Sequence, residues 1–149
     1  MYNEEYFINK STCAIIPVES NLSKIIELDS EFLVNKSVKS IINESCKFFG
    51  SSYQGRFEGS KKILKMNYKL PIVVEEYNNL IFFPTSSPRY NDCIWLSLNN
   101  ITSYVRSKSG SSVSFKDRVL SLDISYYSLE NQIFRATMLD SMIRRRKNM

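Results

Sequence analysis

Between Asn35 and Gly50 the apolar residues change their period, and that change constrains the fold more than any other feature of the chain. Val38, Ile41, Ile42, Cys46 and Phe49 fall at i, i+3, i+4, i+8 and i+11, one stripe of an α-helix. Asn35 is the expected N-cap, and Gly50 suits the left-handed position that ends such a helix. Lys36, Lys39, Asn43 and Lys47 fall on the other side, so one face is apolar and the other basic. The apolar runs that flank this helix are short and strand-like. TCAIIPVE (Thr12 to Glu19) and KIIELDSEFLV (Lys24 to Val34) precede it, and PIVVEE, NLIFFP and CIWLSL follow beyond Pro71. Ile94, Leu96 and Leu98 alternate, as do Leu120, Leu122 and Ile124, which predicts sheets with one solvated face. Turn signals at SKSGSS and Lys116-Asp117 divide the segment between them into a hairpin or meander. Ser128 is the expected cap of a last helix, LENQIFRATMLDSMIRRR, whose arginines sit at the negative end of its dipole. The expected fold is therefore α+β: mostly antiparallel sheet, a central basic amphipathic helix and a C-terminal helix, in one domain over residues 1–149.

The stretch SYQGRFEGSKKILK reads first as a helix capped by Ser52 and almost as well as a loop. Gly55 and Gly59 weaken the helix by about 1 kcal/mol each, but share a face to which another backbone could come close.

Composition excludes whole classes of chemistry. The 149 residues contain no histidine, which removes Ser-His-Asp and Cys-His catalysis and histidine ligation of zinc or haem. The three cysteines, Cys13, Cys46 and Cys93, form no C-x-x-C pair and read as buried thiols in a reducing compartment. Gly50 and Gly55 give the G-x-x-x-x-G of a phosphate loop, but Arg56 and Phe57 stand where lysine and a hydroxyl residue are needed. Glu4-Glu5 and Glu75-Glu76 are adjacent pairs whose side chains point apart. No catalytic residue, metal site, cofactor or small-molecule substrate is expected. The acidic N-terminus MYNEEYF is unlike a signal peptide, and no apolar run is long enough to span a membrane, so the expectation is a cytoplasmic protein.

The formal charge of +5 hides a pattern. Residues 1–34 carry a net −4, residues 35–71 a net +6, residues 72–100 a net −2 and residues 101–149 a net +5. Two basic regions separated by an acidic one fit a nucleic-acid binder, and a solvated helical face would look the same. From Asn35 to Lys69, eight cations are interleaved with Phe48, Phe49, Tyr53 and Phe57. Lysine and arginine neutralise phosphates without reading sequence. An arginine in a narrow A·T-rich minor groove adds preference, and Arg56 with its glycine neighbours suits that role. Candidate DNA contacts are Lys36, Lys39, Lys47, Arg56, Lys61, Lys62, Lys65 and Arg89. Phe48 and Phe49 read as core, and Arg144 to Lys147 as a second phosphate contact or, preferably, a frayed solvated tail.

Five segments resemble the ComK family of Bacillus and related Firmicutes in order and spacing: SCKFFGSSYQGR (Ser45 to Arg56), KLPI (Lys69 to Ile72), LIFFPTSSPR (Leu80 to Arg89), CIWLSLNNI (Cys93 to Ile101) and DISYYSLENQIFRAT (Asp123 to Thr137). The resemblance covers roughly residues 12–140. It implies a cytoplasmic activator of competence (DNA-uptake) genes that binds paired A/T-rich boxes in double-stranded DNA, largely through the minor groove, as dimers assembling into tetramers. It also implies capture by a MecA-type adaptor for a Clp protease, with nucleoid association when bound. Family members usually continue some tens of residues beyond the helix that here stops at Met149, in a tail used for adaptor capture. A second reading is therefore a shortened regulator that acts only by pairing with a full-length relative or its adaptor. A nucleic-acid enzyme is disfavoured, since no carboxylate cluster is available for magnesium.

Overall fold

A computed structural model describes residues 2–149. The chain begins with strands β1 (Thr12–Glu19), β2 (Leu22–Glu27) and β3 (Glu31–Val34), then helices α1 (Val38–Phe48) and α2 (Tyr53–Leu64). Strands β4 (Ile72–Glu75), β5 (Leu80–Pro84), β6 (Trp95–Ser97), β7 (Ser103–Ser107), β8 (Gly110–Phe115) and β9 (Arg118–Leu122) lead to helix α3 (Tyr126–Lys147). Six strands form an antiparallel sheet in the order β3-β2-β1-β6-β5-β4, and β7-β8-β9 form a separate meander. The α+β expectation holds, including the helix after Ser52. The run from Lys24 to Val34 is a hairpin, with β2 and β3 paired from Ser23↔Val34 to Ile26↔Glu31.

The large sheet is covered on both faces. Ile15, Ile25, Ile72, Val74, Phe82 and Trp95 pack with Val38, Ile41, Ile42 and Cys46 of α1. Their neighbours Ala14, Ile26, Val73, Ile81, Phe83 and Leu96 pack with Leu129, Ile133, Ala136 and Leu139 of α3 and with Val113, Phe115 and Leu122 of the small sheet. Every residue of β4, β5 and β6 is buried. The alternation at Ile94 to Leu98 thus does not mark a solvated face. The residues that alternate with them, Trp95 and Ser97, are buried as well, and Trp95 packs with α1, which covers the other side of the sheet. Gln132 of α3, 1% exposed, fastens this layer by donating its amide to the carbonyls of Lys69 (2.9 Å) and Pro84 (2.7 Å).

Caps set the helix boundaries. Ser37, not Asn35, caps α1, accepting the Ser40 N–H at 3.1 Å; Asn35 instead binds Glu4 through its side chain. Ser52 caps α2 as expected, accepting from Gly55 at 2.9 Å. Ser125 rather than Ser128 caps α3, one turn earlier than the apolar stripe suggested, because its hydroxyl accepts the Ser128 N–H. Gly50 has φ +92°, the left-handed end expected of α1. Gly55 and Gly59 face outward, and no other backbone among the described residues comes near them. The final basic run is helical through Lys147 rather than frayed: Arg144 pairs with Asp140, and Lys147 donates to the Glu76 carbonyl and to Asn79 Oδ1.

Two features of the packing are open to measurement. Gly110 has φ +137°, and a Cβ there would lie 2.4 Å from the Ile124 carbonyl oxygen. Gly110→Ala is expected to cost about 2 kcal/mol in urea unfolding. Cys13, Cys46 and Cys93 are buried free thiols. Burial pushes Cys13 and Cys46 up to about 11 and raises Cys93, so all three are protonated and unreactive near neutral pH. A chromogenic disulfide reagent at pH 7.5 should react very slowly with the native protein and titrate three thiols in urea; rapid native labelling would contradict this packing.

Candidate nucleic-acid interface

The two helices that carry the basic region are joined through Asn43. Its side-chain oxygen accepts the N–H of Tyr53, the first residue of α2, at 2.9 Å. Asn43 therefore spends its amide on an otherwise unpaired donor at a helix start. Around this joint the cations divide into two sets. Lys36 Nζ lies 3.1 Å from both oxygens of Glu44. The Ser40 hydroxyl and Lys36 hold the Glu44 carboxyl below its usual range. Arg56 is turned inward, its side chain 13% exposed, with Nη1 at 3.0 Å from Glu76 Oε1 and Nε buried without a partner. Lys39, Lys47, Lys61, Lys62, Lys65 and Arg89 are exposed, and none of the six has a carboxylate within ion-pair distance among the described residues. Lys65 ends α2 in a left-handed conformation, φ 57°, with its N–H bonded to the Lys61 carbonyl.

Aromatic residues accompany this charge, though not as expected. Phe49 packs against the core beneath α1. Phe48, the last residue of α1, is 62% exposed and stacks on Phe7 with ring centroids 4.6 Å apart. Tyr53 meets Trp95 edge-on at 6.1 Å.

The β5–β6 connection closes on itself where Thr85 N and Oγ1 both donate to the Ile94 carbonyl. Its tip holds Pro88, Arg89 and Tyr90, and Pro88 lines three adjoining concavities. The largest of the three, about 680 Å³, has Tyr53, Tyr68, Lys69, Arg89, Tyr90, Ile124 and Ser128 in its walls. Lys39 lines the other two. The fold thus gathers Lys39 and Arg89 around one loop, while Lys61, Lys62 and Lys65 lie outside all three hollows. It also brings Tyr53, Lys69, Arg89 and Ser128, residues of four different segments, to one cleft. Arg135 stands over the Tyr68 ring at 5.5 Å. Sequence reasoning missed Tyr68 and Tyr90 as wall residues, because spacing along the chain carries no trace of contacts made between loops. Among the described residues no group of histidine, cysteine or acidic side chains could hold a metal ion, and no helix is long and apolar enough to cross a membrane.

Comparison with known proteins identifies the family. The family model described as ComK protein matches residues 3–148. The competence transcription factor of Bacillus subtilis (strain 168) is 38% identical over 141 residues, which cover 91% of this chain and 73% of that protein. No solved structure matches. With a family model aligned along nearly its whole length and a relative of this identity, the chain belongs to the ComK family.

Proposed function

We propose that this ComK-family chain, a transcription regulator of the competence type, works by binding double-stranded DNA at paired A/T-rich boxes. The observation that carries the reading is the set of exposed cations without acidic partners: Lys39 and Lys47 on α1, Lys61, Lys62 and Lys65 on α2, and Arg89 on the β5–β6 loop. Free cations on rigid elements suit phosphates, since each contact releases condensed counterions and requires little ordering of the protein. Lys36 and Arg56 belong to the same surface in a supporting role, because each would have to leave Glu44 or Glu76 to reach a phosphate. Family membership also favours a regulator over an enzyme. The family resemblance extends the proposal to a cytoplasmic protein that pairs as dimers and tetramers and is captured by a MecA-type adaptor for a Clp protease.

Fluorescence anisotropy on two duplexes of equal length, one with A/T boxes in helical phase and one a G/C-rich shuffle, tests the reading at three salt concentrations. Selective binding to the A/T duplex is expected, with log K falling by roughly 0.9 per phosphate neutralised. Lys47→Ala and Lys61→Ala should each weaken binding and reduce the magnitude of the salt slope by about 1 without moving the melting temperature. Arg56→Ala should lower the melting temperature as well, because its side chain is packed. No binding to either duplex would sink the proposal and favour a regulator that acts through protein contacts alone.

A further inference from the structure

The second basic region holds a feature that the α1 and α2 surface does not use. From Cys93 to Lys116 the chain has no acidic residue, and this stretch contains the β7–β8 hairpin, closed by a two-residue turn at Lys108-Ser109. Lys108 is exposed at the tip. Two places behind it on β7, the Arg106 guanidinium carbon lies 4.7 Å from the ring centres of both Tyr126 and Tyr127. Arg106 is exposed, and no carboxylate among the described residues pairs with it. Glu130, the acid on the second turn of α3, already accepts the Tyr104 and Tyr126 hydroxyls at 3.2 and 3.1 Å. An arginine backed by aromatic rings keeps its charge and N–H donors while losing side-chain freedom. The hairpin is itself fixed: Gly110 abuts the Ile124 backbone, and Ser111 Oγ donates to the Ile124 carbonyl at 2.8 Å. Ile124 also lines the cleft that holds Lys69 and Arg89. The hairpin is therefore rooted in the wall of that cleft.

We propose that the β7–β8 hairpin is a groove-entering arm, which places Arg106 and Lys108 in the minor groove of duplex DNA while Lys69 and Arg89 of the adjoining cleft hold the flanking phosphates. The proposal rests on the DNA-binding reading above. Its chemistry is that of an arginine in a narrow A·T-rich groove, where the potential is most negative. The small side chains of Ser107 and Ser109 at the tip leave the backbone there free to approach the sugar-phosphate edges.

The test uses the full chain and three labelled duplexes: the A/T-box duplex, the same duplex with inosine·cytosine in place of A·T, and the G/C-rich shuffle. Inosine·cytosine keeps the minor-groove edge of A·T and presents the major-groove edge of G·C. Wild type is expected to bind the first two alike and both better than the third. Arg106→Ala and Lys108→Ala should each cut that preference by about tenfold or more while salt-dependent binding persists. Arg146→Ala, the same charge removed from the far end of α3, should leave the preference intact. If Arg106→Ala melts early, Lys108→Ala carries the test without touching the tyrosines. Wild-type preference in both variants would overturn the arm and leave DNA binding standing. Loss of A/T preference in the inosine duplex would overturn minor-groove entry. A wild type that binds no duplex would remove the DNA-binding reading and the arm with it.

Discussion

Burial of both faces of β4, β5 and β6 is the constraint on which the rest of the architecture depends. A sheet covered on one side could have been left with a polar outer face; this one alternates Ile72 and Val74 toward α1 with Val73 toward α3. Two helical layers must therefore be held at a fixed separation, and specific hydrogen bonds fix their positions where apolar packing alone would let them slide. Gln132 supplies this on the α3 side. On the α1 side Ser45 ties the helix to the N-terminal segment, its buried hydroxyl accepting the N–H of Ile8 at 3.0 Å. The helices that carry the free cations are thus set by the core rather than by each other alone.

The sequence was most legible where local physics decides. The α1 stripe, Gly50 with its positive φ, the Ser52 cap and the turns of the meander all follow from residues within a few places of one another. The misassigned caps show the limit of that reasoning. Asn35 and Ser37 are both competent caps, and so are Ser125 and Ser128; the choice falls to the residue whose backbone the neighbouring strand leaves extended. Phe48 lies beside Phe49 in sequence, yet it turns to Phe7 of the N-terminal segment while Phe49 packs on the core.

The candidate site was less legible than the fold. Charge identified the region, but whether a cation is free depends on acids remote in sequence. Arg56 meets Glu76 across 20 residues, and Lys116 and Arg118 meet Asp29 and Glu31 across 87. Arg106 shares no motif with the tyrosines it covers; only the docking of the meander on α3 brings them together. The same docking brings residues of both basic segments, Lys69 from the first and Ile124 and Ser128 from the second, to one cleft together with Arg89.

The order of strands in the large sheet has an electrical consequence. Its first three strands, from the segment of net −4, occupy one edge, while α2 packs on β4 at the other, about 24 Å away across five strand spacings. The molecule's charge is accordingly distributed unevenly along the width of the sheet. Such a body approaching a polyanion feels a torque as well as an attraction, and turns its basic edge forward before any contact is made. Fewer encounters are then wasted on the wrong face, and added salt acts on the rate of arrival more than on the rate of departure.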